Sequence, residues 1–126
     1  MLSFDEAGEL LDKMADALPD PLLRGLSGGI WLSPDVKLHT NSLPERPLYV
    51  MGEYQYGVLG RSITLYYGSF AARYGQAPAC FWAQQLRAVL LHELTHHNES
   101  LAGAWDLEQA DALLLQDYLS DTEDNG

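Results

Sequence analysis

Residues 92–96 read His-Glu-Leu-Thr-His, and three of the chain's four histidines fall between positions 92 and 97. Each residue of a helix advances about 100°, so His92 and His96 lie about 40° apart on one face. Both imidazoles can then point at one metal ion. Glu93 stands at the edge of that face, where it can touch a water on the metal without being a ligand. Two histidines on adjacent turns with a carboxylate beside the first is the arrangement used for zinc-dependent peptide hydrolysis.

A catalytic zinc takes three protein ligands and leaves a fourth position for water. Carboxylates are the plentiful source of a third ligand here: Glu99, Asp106, Glu108 and Asp111 all follow the motif. If the chain reverses at Ala102-Gly103-Ala104, the first turns of a last helix pass beside the motif helix. Glu108 is then the expected third ligand, ahead of Asp106, which has a competing role as helix cap. Asp111, one turn on, suits the acceptor that orients a ligating histidine. Glu99 ranks last. Zinc lowers the pKa of a bound water, and Glu93 takes the proton as general base and passes it to the leaving amine. A hydrogen-bond donor must steady the oxyanion, and Tyr54, Tyr56, Tyr66, Tyr67 and Tyr74 are candidates. The strand edge over 63–67 can hold an extended peptide by strand addition.

The elements that position these groups can be read from local pattern. Ser3 followed by Glu6 forms a capping box, and Phe4, Ala7, Leu11, Met14 and Leu18 keep helical spacing after it. Pro19-Asp20-Pro21 ends that helix, and 22–26 can add a short turn. Ile30-Trp31-Leu32, Val36-Lys37-Leu38 and 48–51 read as short strands. Gly52, Gly57 and Gly60 punctuate a hairpin or an open loop. The stretch 61–67, rich in β-branched and aromatic residues, is the clearest strand. Ser69 is expected to cap a short helix over 70–74. Pro78 suits the first turn of a long helix whose apolar face is Trp82, Leu86, Val89, Leu90 and Leu94, running to about Asn98. Asp106 is expected to cap the last helix, and 121–126 to be a frayed acidic tail.

At 126 residues, 47% hydrophobic and 20% charged, the chain predicts one globular domain spanning 1–126. No apolar run is long enough to span a bilayer. The acidic start, Met1-Leu2-Ser3-Phe4-Asp5-Glu6, is unlike a secretory leader. One cysteine, Cys80, excludes an internal disulfide and is read as inert. The expected compartment is the cytoplasm. A formal net charge of −11 argues against nucleic acid and membrane as partners. A peptide or protein substrate is the expected partner. His97 points about 100° away from His96 and is expected to support the site or face solvent, not to bind metal. His39, alone before a loop, is expected to be exposed.

The motif, with the stretches 59–68 and 89–97, resembles the zincin metallopeptidases, and most of all the small bacterial zincin-like proteins. The resemblance implies an α+β, compact single-domain fold, with a small sheet packed on an active-site helix between N- and C-terminal helices. It implies Zn2+ on His92 and His96, with Glu93 as catalytic base. The sequence departs from the small-family pattern at Glu99, where that pattern carries glycine. The later cluster Asp106-Leu107-Glu108 is more similar to zincins whose third ligand is a glutamate on a following helix. The competing function is a zinc-stabilised binding or regulatory module without catalysis. Glu93 separates the two, because a purely structural site needs no general base beside its first histidine.

Overall fold

The computed structural model describes residues 1–58 and 60–107, with the backbone alone for 104–107. Helix α1 spans Phe4–Ala17 and begins on the capping box: the Glu6 N–H donates to Ser3 Oγ, and the Ser3 N–H donates to Glu6 Oε1. A single helical turn, α2, covers Asp20–Leu23. Strands β1 (Gly29–Ser33), β2 (Lys37–Leu38), β3 (Tyr49–Val50), β4 (Gly52–Gly57) and β5 (Gly60–Tyr66) follow. Helix α3 (Tyr67–Tyr74) leads into the long helix α4 (Ala79–Leu107). The fold is α+β, as expected.

Strands β1, β5 and β4 form one sheet in that order, with β1 parallel and β4 antiparallel to β5. The glycines at 52, 57 and 60 therefore punctuate a hairpin. Strands β2 and β3 make a separate antiparallel pair. The sheet has one face toward α4. Ile63 and Leu65 of β5 are fully buried there, while Ser62, Thr64 and Tyr66 alternate to the other side. Trp82, Leu86, Leu90 and Leu94 supply the helix side of this core, joined by Ala7 and Leu11 of α1 and Phe70 of α3. Each such large side chain taken out of water contributes about 1.5–3 kcal/mol.

Two expectations are corrected. Ser69 does not cap a helix. Helix α3 starts earlier, at Tyr67, because Tyr66 can leave β5 in extended conformation and turn directly into it. Ser69, fully buried inside α3, instead accepts from the Lys37 N–H at 3.0 Å and donates to Lys37 O at 3.3 Å, tying α3 to β2. The reversal expected at Ala102-Gly103-Ala104 does not occur either. Helix α4 runs through it to Leu107, since two alanines offset the roughly 1 kcal/mol that one helical glycine costs. No helix among the described residues is long and apolar enough to cross a membrane.

Gly68 sets how closely α3 sits on the loop before β2. A Cβ built there would lie 2.6 Å from the Asp35 carbonyl carbon and 2.7 Å from the carbonyl oxygens of Asp35 and Pro34. These are backbone atoms and cannot swing aside. Gly57, with no heavy atom within 4 Å of its Cβ position, is the natural control. Urea denaturation is expected to show Gly68→Ala less stable than wild type by about 1–3 kcal/mol, and Gly57→Ala within about 0.5 kcal/mol.

Candidate metal centre

Helix α4 carries the motif with three different exposures. His92 is exposed, His96 is half-buried, and Glu93 is fully buried. The cause is helical phase. Glu93 lies two turns after Leu86 and almost in line with it, so it enters the face that packs on the sheet. Gln85, Val89, His92 and His96 share the neighbouring face for the same reason. The buried stripe thus turns from apolar to polar along α4, from Trp82, Leu86 and Leu90 to Glu93, His97 and Ser100.

The two imidazoles meet across one turn. Their Nε2 atoms are 3.1 Å apart, and their rings stand edge to face with centroids 4.6 Å apart. Two nitrogens 2.0–2.1 Å from a tetrahedral zinc would be about 3.4 Å apart, so the pair fits one ion with little adjustment. With both Nε2 atoms turned to an ion, neutral His96 would carry its proton on Nδ1. That atom is buried without a hydrogen-bond partner, and Glu99 Oε2 lies 4.0 Å from it. Glu99, ranked last as a ligand, stands on the side of His96 away from His92. At 4.0 Å its carboxylate stops short of a hydrogen bond to this ring, and it stands on the wrong side to join His92 on an ion.

The other expected ligands are not brought to this pair. A continuous helix carries Asp106 about 15 Å along its axis from His96, which removes it as a ligand to the same ion and as a cap. Glu108 and Asp111 lie outside the described residues. Among the described residues no third His, Cys, Asp or Glu completes a metal-holding group.

His97 is neither a ligand nor on the surface. It is fully buried and bonded at both nitrogens, 2.9 Å from Tyr54 Oη at Nδ1 and 2.7 Å from Arg24 O at Nε2. A carbonyl can only accept, so Nε2 carries the proton and Nδ1 accepts from the Tyr54 hydroxyl. Arg61 Nη1 donates in turn to Tyr54 Oη at 2.9 Å, and also to Ser100 Oγ. Burial, and secondarily the nearby Arg61 charge, holds His97 below the usual histidine range despite the hydrogen bond to Arg24 O. This network pins α4 to β4, β5 and the segment after α2.

Beside the motif is a cavity of about 300 Å³, lined by Met51, Arg73, Tyr74, Gln85, Val89, His92 and Glu93 among others. Of the five tyrosines considered as oxyanion donors, Tyr74 alone lines it. Tyr54 is engaged with His97, Tyr66 donates to Glu53, and Tyr67 donates to Leu2 O at 2.6 Å. Tyr56 packs under the Arg61 guanidinium, 4.0 Å from ring centroid to Cζ. Tyr74 Oη donates to Gln85 Oε1 at 3.2 Å, and its ring is held edge-on by Phe81. Sequence reasoning missed Gln85 and Arg73. Gln85 was findable, being seven residues before His92 and so nearly in line with it. Arg73 carries no local signal. His39 is exposed as expected, its Nδ1 accepting from the Asn41 N–H.

No protein-family model and no curated protein matches this sequence. A solved structure does, that of a "conserved hypothetical protein" from Thermo thermophilus. It is 31% identical, covers 81% of this chain and 99% of its own, and superposes with a TM-score of 0.69.

The depressed pKa of His97 has a definite sign. The unfolded chain takes up a proton near pH 6.5 that the folded chain refuses. The stability contributed by this residue is therefore full above that pH and lost as pH falls below it. His97→Gln is expected to cost about 1–3 kcal/mol at pH 8 by urea denaturation. The gap between variant and wild type is expected to narrow as the measurement moves to pH 5.5. A gap that widens on acidification would contradict the neutral, doubly bonded imidazole.

Proposed function

The chain belongs to the same family as the Thermo thermophilus protein, and we propose that it is a zinc-dependent metallopeptidase. The observation that carries this reading is the pairing of His92 and His96 through Nε2, 3.1 Å apart, with Glu93 buried beside them at a cavity. His92 and His96 would hold the zinc. When bound, zinc supplies Lewis acidity and an acidified water. Glu93 takes a proton from the attacking water and carries it to the leaving amine. Tyr74, on the wall of the same cavity, is the proposed donor to the oxyanion, its hydroxyl turning from Gln85 Oε1 to do so. The cytoplasm is the compartment proposed with this reading, and a peptide or protein the substrate.

The alternative, a non-catalytic module closed around its metal, requires a fourth protein ligand. Two residues suited to close the site are accounted for otherwise: His97 is turned to Tyr54 and Arg24, and Asp106 lies far along the helix. The third ligand is proposed to be a carboxylate from the chain beyond Leu107.

Three measurements test the proposal. Glu93→Gln is expected to retain zinc by metal analysis while peptide hydrolysis falls by a factor of about 10²–10⁴ or more. Equal cleavage by variant and wild type would remove Glu93 as the base. Tyr74→Phe is expected to lower kcat by a factor of about 10–10³ with little change in KM. An unchanged kcat would return the oxyanion role to another group. Zinc content of Glu108→Ala and Asp111→Ala identifies the third ligand as the residue whose loss empties the site. Retention by both would refute a ligand drawn from this pair.

A further inference from the structure

The cavity beside the motif contains a cation that the zinc chemistry does not use. Arg73, in the last turn of α3, is exposed and lines the wall that faces His92 and Glu93. The described ion pairs are Lys37 with Glu53 and His96 with Glu99, and neither involves Arg73. Its guanidinium carbon sits 5.4 Å from the Tyr74 ring centroid, a contact that does not consume its N–H donors. A helix C-terminus favours a cation, and that alone would account for an arginine in this turn. It would not account for one that shares a cavity wall with a general base.

The surrounding charge sharpens the point. With 18 acidic and 7 basic residues, the chain as a whole repels carboxylates. A guanidinium at the cleft reverses that locally. Its planar fork matches a carboxylate with two parallel hydrogen bonds, which neither a neutral side chain nor a backbone amide can offer.

Resting on the peptidase reading of this cleft, we propose that Arg73 forms a carboxylate-recognising subsite. The cleft then takes peptides with a carboxylate close to the scissile bond. That carboxylate belongs either to an acidic side chain or to the peptide's own C-terminus.

The test uses the full zinc-loaded chain carrying Glu93→Gln, so that bound peptide persists. The probes are fluorescein-labelled Ala-Ala-Phe-Ala-Ala as amide, the same peptide as free acid, and amides with Glu or Lys replacing each alanine in turn. Binding is followed by fluorescence anisotropy. The free acid or a Glu peptide is expected to bind about tenfold tighter than the neutral amide. Tightening by the free acid identifies a C-terminal carboxylate, and tightening by a Glu amide identifies a side chain. Adding Arg73→Gln is expected to erase the preference, Arg73→Lys to retain part of it, and Arg73→Glu to turn it toward the Lys peptides. A structural role for Arg73 would not invert selectivity. Equal binding of acid, Glu and neutral peptides, no binding of any, or a preference that survives Arg73→Gln overturns the subsite. Cleavage by the chain with Glu93 intact is read in parallel. Carboxylate-dependent binding without cleavage upholds the subsite and removes the peptidase. Cleavage indifferent to carboxylate and to Arg73 does the reverse.

Discussion

Strand β4 can lie on α4 as closely as it does because residue 52 has no side chain. A Cβ there would stand 2.7 Å from Val89 Cγ1 and 3.4 Å from both Glu93 Cγ and Thr64 O. This approach decides the environment of everything nearby. It covers Glu93 and shuts it from solvent, while His92, one residue back and about 100° around the helix, stays outside the covered face. It brings Met51 to the edge of the cavity and lays Tyr54 against His97. Any larger residue at 52 would lift the sheet from the helix where the motif begins.

The same contact exacts a polar cost that the fold meets with hydrogen bonds. Past Leu90 the inner face of α4 carries Glu93, His97 and Ser100, groups that are expensive to bury without partners. The chain from Arg61 through Tyr54 and His97 to Arg24 O answers much of this. Each bond fixes the donor and acceptor roles of the next, so one tautomer of His97 is compatible with the whole. A network of this kind tolerates no slip of β4 against α4, because sliding by one residue would replace Tyr54 with a side chain from the opposite face. The positioning of Glu93 therefore depends on residues that do not line the cavity beside it.

Local signals were legible and long-range ones were not. The capping box at Ser3 and Glu6, the β5 strand and the i,i+4 placement of His92 and His96 follow from spacing alone. The parallel pairing of β1 with β5 joins Gly29–Ser33 to residues more than thirty positions away, and no pattern within β1 announces it. Gly103 reads as a turn when the cost of one helical glycine is taken without the alanines on either side of it. His97 looked peripheral by its angle from His96. Its angle from Leu90, seven residues earlier and nearly in line, points the other way and would have placed it in the core. Arg73 reaches the cleft only through the turn at Gly75, whose φ of 47° lets α3 stop and fold back beside α4.

The extension of α4 to Leu107 also changes what the motif asks of the rest of the chain. A straight helix can give an ion two ligands from adjacent turns, but a third from the same helix would need to sit within one more turn on the same face. The residue four beyond His96 is Ser100, and it is buried and accepts from Arg61. Three beyond is Glu99, whose carboxylate stands by Nδ1, the ring nitrogen directed away from His92. Among the described residues, the face that presents His92 and His96 thus offers no further ligand on its own helix. In the proposed peptidase, a third ligand drawn from beyond the described helix would leave the ion open toward the cavity that Tyr74 and Arg73 line.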